Sequence, residues 1–150
     1  MTRPLDGLLS RPASFSWPFA SPPLDVTTSA TVPNATALRR IFRRWVKALV
    51  GDDEANDLTL AVYEALANAA EHAFAGQREP GSMRLHAAVA DSEITVTITD
   101  NGTWRPPALS TGLRGRGLPL MRRLTTEAQV EADFQGTAVR LRHPLAQHIA

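Results

Sequence analysis

Residues Leu58–Phe74 read LTLAVYEALANAAEHAF. The stretch is rich in Ala and Leu and holds no Gly or Pro, which predicts a helix. At about 100° per residue, Leu58, Ala61, Val62, Ala65, Ala69 and Ala73 form one apolar stripe. Glu64, Asn68 and His72 recur at every fourth position along one margin of that stripe. A carboxylate, an amide and an imidazole thus share a row beside a core. They are either boundary residues with local partners or the wall of a cleft.

The next informative stretch is EITVTITDNG, Glu93–Gly102. Ile94, Val96 and Ile98 alternate with Thr95, Thr97 and Thr99, the period of a strand with one buried face. Asp100 continues the apolar parity, so its carboxylate is expected to face inward. Burying a carboxylate is costly unless donors meet it. An Asp capping a turn and a carboxylate receiving an amine-bearing ligand both fit. Asn101-Gly102 then ends the strand. Further on, Thr111–Leu124 reads TGLRGRGLPLMRRL. Gly112, Gly115 and Gly117 precede a helix that tolerates Pro119 in its first turn. Backbone N–H groups and a positive dipole end make such a start an anion site, and Arg114 and Arg116 add charge. No Gly-Lys-Ser/Thr follows, so it is not a Walker A loop.

Elsewhere the pattern is plain. LDVTTSATV, Leu24–Val32, is expected to be a strand, and Asn34 the cap of a helix with Leu38, Ile41, Phe42, Trp45, Val46 and Leu49 on one face. That helix carries Arg39, Arg40, Arg43, Arg44 and Lys47 on its other face, and Gly51 is expected to end it. Strands are expected over Met83–Ala90, Glu93–Thr99, Glu127–Phe134 and Thr137–Arg142, with turns at Asp91-Ser92 and Gln135-Gly136. The order β α α β β α β β predicts an α/β (α+β) two-layer sandwich: a mostly antiparallel, mixed sheet with about three helices on one face.

At 150 residues the chain suits one domain with a core. Its net charge of +1 suggests no polyanion partner, so the basic helix face is read as solvated and no direct nucleic-acid contact is expected. The absence of Cys excludes disulfides and thiolate chemistry and fits a cytoplasmic protein. No apolar run approaches the roughly 20 residues of a membrane span. Residues 1–23 hold five of the eleven prolines together with Phe15, Trp17 and Phe19, and are expected to be a flexible arm.

Taken in order, Glu64 and Asn68 on a helix, Asp100 and Gly102 after a strand, Gly115 and Gly117 at a helix start, and Gly136-Thr137 before a last strand form one set. The set resembles the Bergerat-type ATPase fold shared by histidine kinases, gyrase-type topoisomerases and heat-shock-90 chaperones. Within it, the chain looks most like the bacterial anti-sigma-factor serine/threonine kinases, over roughly residues 24–143. The resemblance implies an ATP-binding kinase domain at 24–145, followed by a short tail at 146–150, with ATP and Mg²⁺ as cofactors. By that resemblance Asn68 holds Mg²⁺ and Asp100 accepts from the adenine amino group. Gly102 lets the base pack close, and Thr137 steadies it. Arg114, Gly115, Arg116, Gly117 and Leu118 hold phosphates, and Glu64 is the general base. It also implies a homodimer whose partners are a sigma factor and an anti-anti-sigma antagonist. One departure stands out. Where the family usually reads Asp-x-Gly-x-Gly, Trp104 takes the second Gly position, before Arg105-Pro106-Pro107. Pro stiffens that hinge, which keeps open the alternative of a nucleotide-gated adaptor without useful kinase rate.

Overall fold

The computed structural model describes residues 22–71, 78–102, 117–133 and 135–145. Its elements are β1 (Leu24–Ser29), α1 (Val32–Lys47), α2 (Asp52–Glu71), β2 (Ser82–Ala90), β3 (Glu93–Asp100), α3 (Gly117–Leu124), β4 (Glu127–Asp133) and β5 (Gly136–Pro144). The five strands lie in the order β1-β2-β3-β5-β4. Among the described residues every pairing is antiparallel, so the sheet there is not mixed. The three helices pack together, with α2 in the middle against α1, α3 and the central strands.

The apolar parity of each strand faces those helices. Met83, Leu85 and Ala87 of β2, Ile94, Val96 and Ile98 of β3, and Val139 and Leu141 of β5 are all buried. They meet Leu38, Phe42 and Val46 of α1, and Leu58, Val62, Ala65, Leu66 and Ala69 of α2, in one core. The buried stripe of α2 is wider than periodicity implies. Thr59, Leu66 and Ala67 are buried as well, because helices flank α2 on both sides.

Two local expectations change. The cap of α1 is Thr31, whose Oγ1 accepts from the Asn34 N–H, and Pro33 sits in the first turn. Asn34 is already helical, and its Nδ2 donates to Thr28 Oγ1 and the Ser29 carbonyl, tying the helix start to β1. Gly51 does not end α1, which closes at Ala48. The Gly51 carbonyl instead accepts from the Ala55 N–H and so opens α2, where Asp52, Asp53 and Glu54 meet the positive end of the helix dipole. The turn Asp91-Ser92 has φ of 54° and 58°, the left-handed pair of a type I′ hairpin. Residues 1–21 of the expected arm, His72, Ala73 and Trp104 lie outside the described residues. Trp45 Nε1–H donates to the Pro22 carbonyl at 2.8 Å, just before β1.

Candidate functional site

The site is built at one end of the sheet, where β3 finishes and β5 starts. The ladder sets Asp100 directly opposite Thr137. Both continue the core-facing parity, Asp100 after Ile98 and Thr137 before Val139. The Asp100 carboxyl is half-buried, as its parity predicts, and its Oδ1 accepts from the Gly102 N–H at 2.9 Å. Burial pushes this carboxyl up to about 6, and the Gly102 hydrogen bond opposes the shift only in part. The Thr137 hydroxyl is buried with no hydrogen-bond partner. Such a group is costly to leave unpaired.

Two glycines make this end compact. A Cβ on Gly136 would lie 2.1 Å from the Asp100 carbonyl oxygen, so only Gly lets β5 begin where it does. Gly102 is buried directly after the strand end. Asn101, between Asp100 and Gly102, has a role that sequence reasoning missed. Its Oδ1 accepts from the Ser82 N–H at 3.0 Å, and its own N–H donates to the Ser82 carbonyl at 3.3 Å. The side chain thus ties the turn to the start of β2. An Asn-Gly pair signals a turn but not which distant strand the Asn will hold.

Glu64 and Asn68 lie one turn apart on α2, and both are half-buried, the margin position that their spacing implies. α2 runs against β3 and β5, and α3 packs along it. The helix start of the Gly-rich segment is Gly117, the first residue of α3, followed by Leu118. Arg114, Gly115 and Arg116 lie outside the described residues. The structure therefore joins Asp100, Gly102, Gly136 and Thr137 in one corner and sets α2, with Glu64 and Asn68, against the same strands.

The chemistry of the corner is specific. A desolvated carboxylate accepts, a buried hydroxyl is unpaired, and glycines allow close approach. That donor and acceptor set fits a flat heterocycle bearing an amino group, as in adenine, so the residues present suit a nucleotide. Among the described residues no cluster of His, Asp and Glu could hold a metal by itself. Mg²⁺ that keeps phosphate and water ligands needs only one protein oxygen such as that of Asn68.

A sheet covered on one face by three helices, with this corner at its end, defines a nucleotide-binding class, and the chain belongs to the histidine kinase-like ATPase domain family, which matches residues 28–143. Over 50 residues it is 38% identical to the anti-sigma F factor of Clostridium botulinum (strain Eklund 17B / Type B), covering 33% of this chain and 34% of that protein. The anti-sigma F factor of strain Alaska E43 / Type E3 matches to the same extent. These matches thus span about a third of the curated relatives' length. Among solved structures, the chain is similar to the RsbU and RsbW domains of Rv1364c from Mycobacterium tuberculosis. There the TM-score is 0.67 at 28% identity, over 86% of this chain and 35% of that one. It is also similar to the histidine kinase domain of the Erythrobacter litoralis EL346 blue-light activated histidine kinase. There the TM-score is 0.53 at 29% identity, over 63% of this chain and 46% of that one.

Proposed function

We propose that this protein binds Mg·ATP and acts as an anti-sigma-factor serine/threonine kinase, phosphorylating a small antagonist protein and sequestering a sigma factor. The observation that carries the reading is the Asp100–Thr137 pair, a half-buried carboxylate beside a buried, unpaired hydroxyl at the mouth of the sheet. Asp100 accepts from the exocyclic amine of the base, and Thr137 supplies the neighbouring hydroxyl. Gly102 and Gly136 keep side-chain bulk out of the way. Asn68 contributes an oxygen ligand to Mg²⁺. Arg114, Gly115, Arg116, Gly117 and Leu118 hold phosphates at the start of α3. Glu64 takes the proton from the acceptor serine or threonine hydroxyl. Bound ATP supplies the phosphoryl group that this hydroxyl receives. The resemblance to anti-sigma F factors supports the choice of a sigma factor and its antagonist as partners; a homodimeric state is part of the proposal.

The test is incubation with labelled ATP, Mg²⁺ and a panel of candidate antagonist proteins, together with calorimetry. In Asn68→Ala, Mg²⁺ should no longer tighten ATP binding. If Mg²⁺ tightens it as much as in wild type, Asn68 is a boundary residue and the metal assignment fails. Nucleotide binding without transfer to any member of the panel would favour the adaptor reading, for which Trp104 and Pro106-Pro107 in the hinge are the sequence argument.

A further inference from the structure

The corner depends on a turn that is held both by a local bond and by a distant strand. β3 ends at Asp100, and the Gly102 N–H must return to meet the Asp100 carboxylate. Between these two residues lies Asn101. Its backbone N–H and its side-chain oxygen engage both polar backbone groups of Ser82, the first residue of β2. The preceding residue, Gly81, is held from the far side, because its carbonyl accepts from the Ala30 N–H at 2.8 Å. Asn101 thus anchors the turn to a point that is itself anchored. The side chain is exposed, so it does not act by filling a core. Without its oxygen, the Ser82 N–H loses this partner, and between Asn101 and Ser82 the 3.3 Å backbone bond remains.

We propose that Asn101 is a positioning residue for nucleotide binding: by clamping Ser82 it places the Gly102 N–H on the Asp100 carboxylate and sets the orientation in which that carboxylate receives the base. This rests on the nucleotide reading of the site and adds a residue to it. It acts through Asp100 and Gly102 and need not touch the nucleotide.

The experiment compares wild type with Asn101→Ala, Asn101→Leu and Asn101→Asp. Asn101→Leu keeps the size of Asn and removes the acceptor, so it serves if the alanine variant does not fold. Asn101→Asp keeps an acceptor for Ser82. Two quantities are read: the titration midpoint of the Asp100 carboxyl by carbon NMR without nucleotide, and ATP affinity at pH 8, where both carboxylates are ionised. Losing one positioned hydrogen bond should weaken ATP about tenfold in the Ala or Leu variant. In the same variants the Asp100 midpoint should rise above the wild-type value, because the bond that favours the ionised form has loosened. Asn101→Asp should restore ATP affinity to within about threefold, the small remainder expected of an acceptor kept in place. An unchanged midpoint and unchanged affinity in Asn101→Ala or Asn101→Leu would overturn the inference, even if the melting temperature fell. A shifted midpoint in a protein whose wild type binds no ATP would support the Asn101–Asp100 coupling and overturn the nucleotide reading, so the two failures are separable.

Discussion

At the scale of single residues, the proposed adenine contact would set opposite demands on Asp100 from stability and from binding. Its carboxyl titrates at about 6 in the fold, against about 3.9 in an unfolded chain. A raised value means that the fold favours the neutral acid. The stability this confers is complete below about pH 4 and is lost as pH rises through about 6. Binding an adenine amine needs the ionised acceptor, so affinity runs the other way. One pH unit below the midpoint, roughly nine-tenths of the carboxyl is protonated, and ATP should bind about tenfold more weakly at pH 5 than at pH 8. Adenosine, which has no phosphate titrating in this range, should show the same trend in calorimetry. Asp100→Asn should bind neither ligand measurably, yet melt at the same temperature as wild type or higher at pH 7, since the desolvated charge is gone. Unchanged ATP affinity in folded Asp100→Asn would remove Asp100 from the adenine site.

At the scale of elements, the hairpin between β2 and β3 offers a test of turn chemistry away from the site. Asp91 and Ser92 both adopt left-handed backbone, at φ 54° and 58°. A non-Gly residue there costs about 1 kcal/mol or more, and type I′ turns favour Gly at the second position. Ser92→Gly should therefore stabilise the protein by up to about 1 kcal/mol, or about 2–4 °C in melting temperature, with ATP binding unchanged. A lower melting temperature would mean that the Ser92 side chain contributes more than its backbone strain removes. This hairpin was legible in the sequence because alternation and turn residues are local signals. So was the inward parity of Asp100, which follows from Ile94, Val96 and Ile98. The strand order was not legible. β5 inserts between β3 and β4 and thereby brings Thr137 and Gly136 to Asp100, a pairing across 37 residues that no local pattern encodes. The same holds for the Asn101 clamp on Ser82, 19 residues apart. The helix cap was misplaced for a related reason. Thr31 and Asn34 are both good capping residues, and what decides between them is that Asn34 is drawn to Thr28 and Ser29 of β1.

At the scale of the whole molecule, the three helices pack on one face of the sheet, and among the described residues no element packs on the other. The open face is dressed with cross-strand ion pairs: Arg84 forks onto Asp25 at 2.8 and 2.7 Å, and Arg142 bridges Glu93 and Glu127. Exposed pairs of this kind contribute little stability. The chemistry instead gathers on the helical side, at the sheet end that Asp100 and Thr137 share. This division separates the act of binding a nucleotide from the act of using it. The residues proposed to meet the base lie on or beside strands, whereas Glu64 and Asn68 sit on α2, one turn apart, with side chains that lean toward the helix N-terminus. If the protein is a kinase, Glu64 must come within hydrogen-bond reach of the acceptor hydroxyl, and such a general base contributes about 10²–10⁴-fold. In the proposed role it serves the acceptor and not the base, so ATP binding should not require it. Glu64→Gln keeps the shape and removes the basicity. The variant should show ATP affinity within about threefold of wild type and form the sigma-factor complex normally, while phosphate transfer to the antagonist falls by about 10²–10⁴-fold. Single-turnover transfer measured beside calorimetry distinguishes the cases. Full transfer in Glu64→Gln would exclude Glu64 as the base. Loss of ATP binding and transfer together would make Glu64 part of the nucleotide site rather than of the proton transfer.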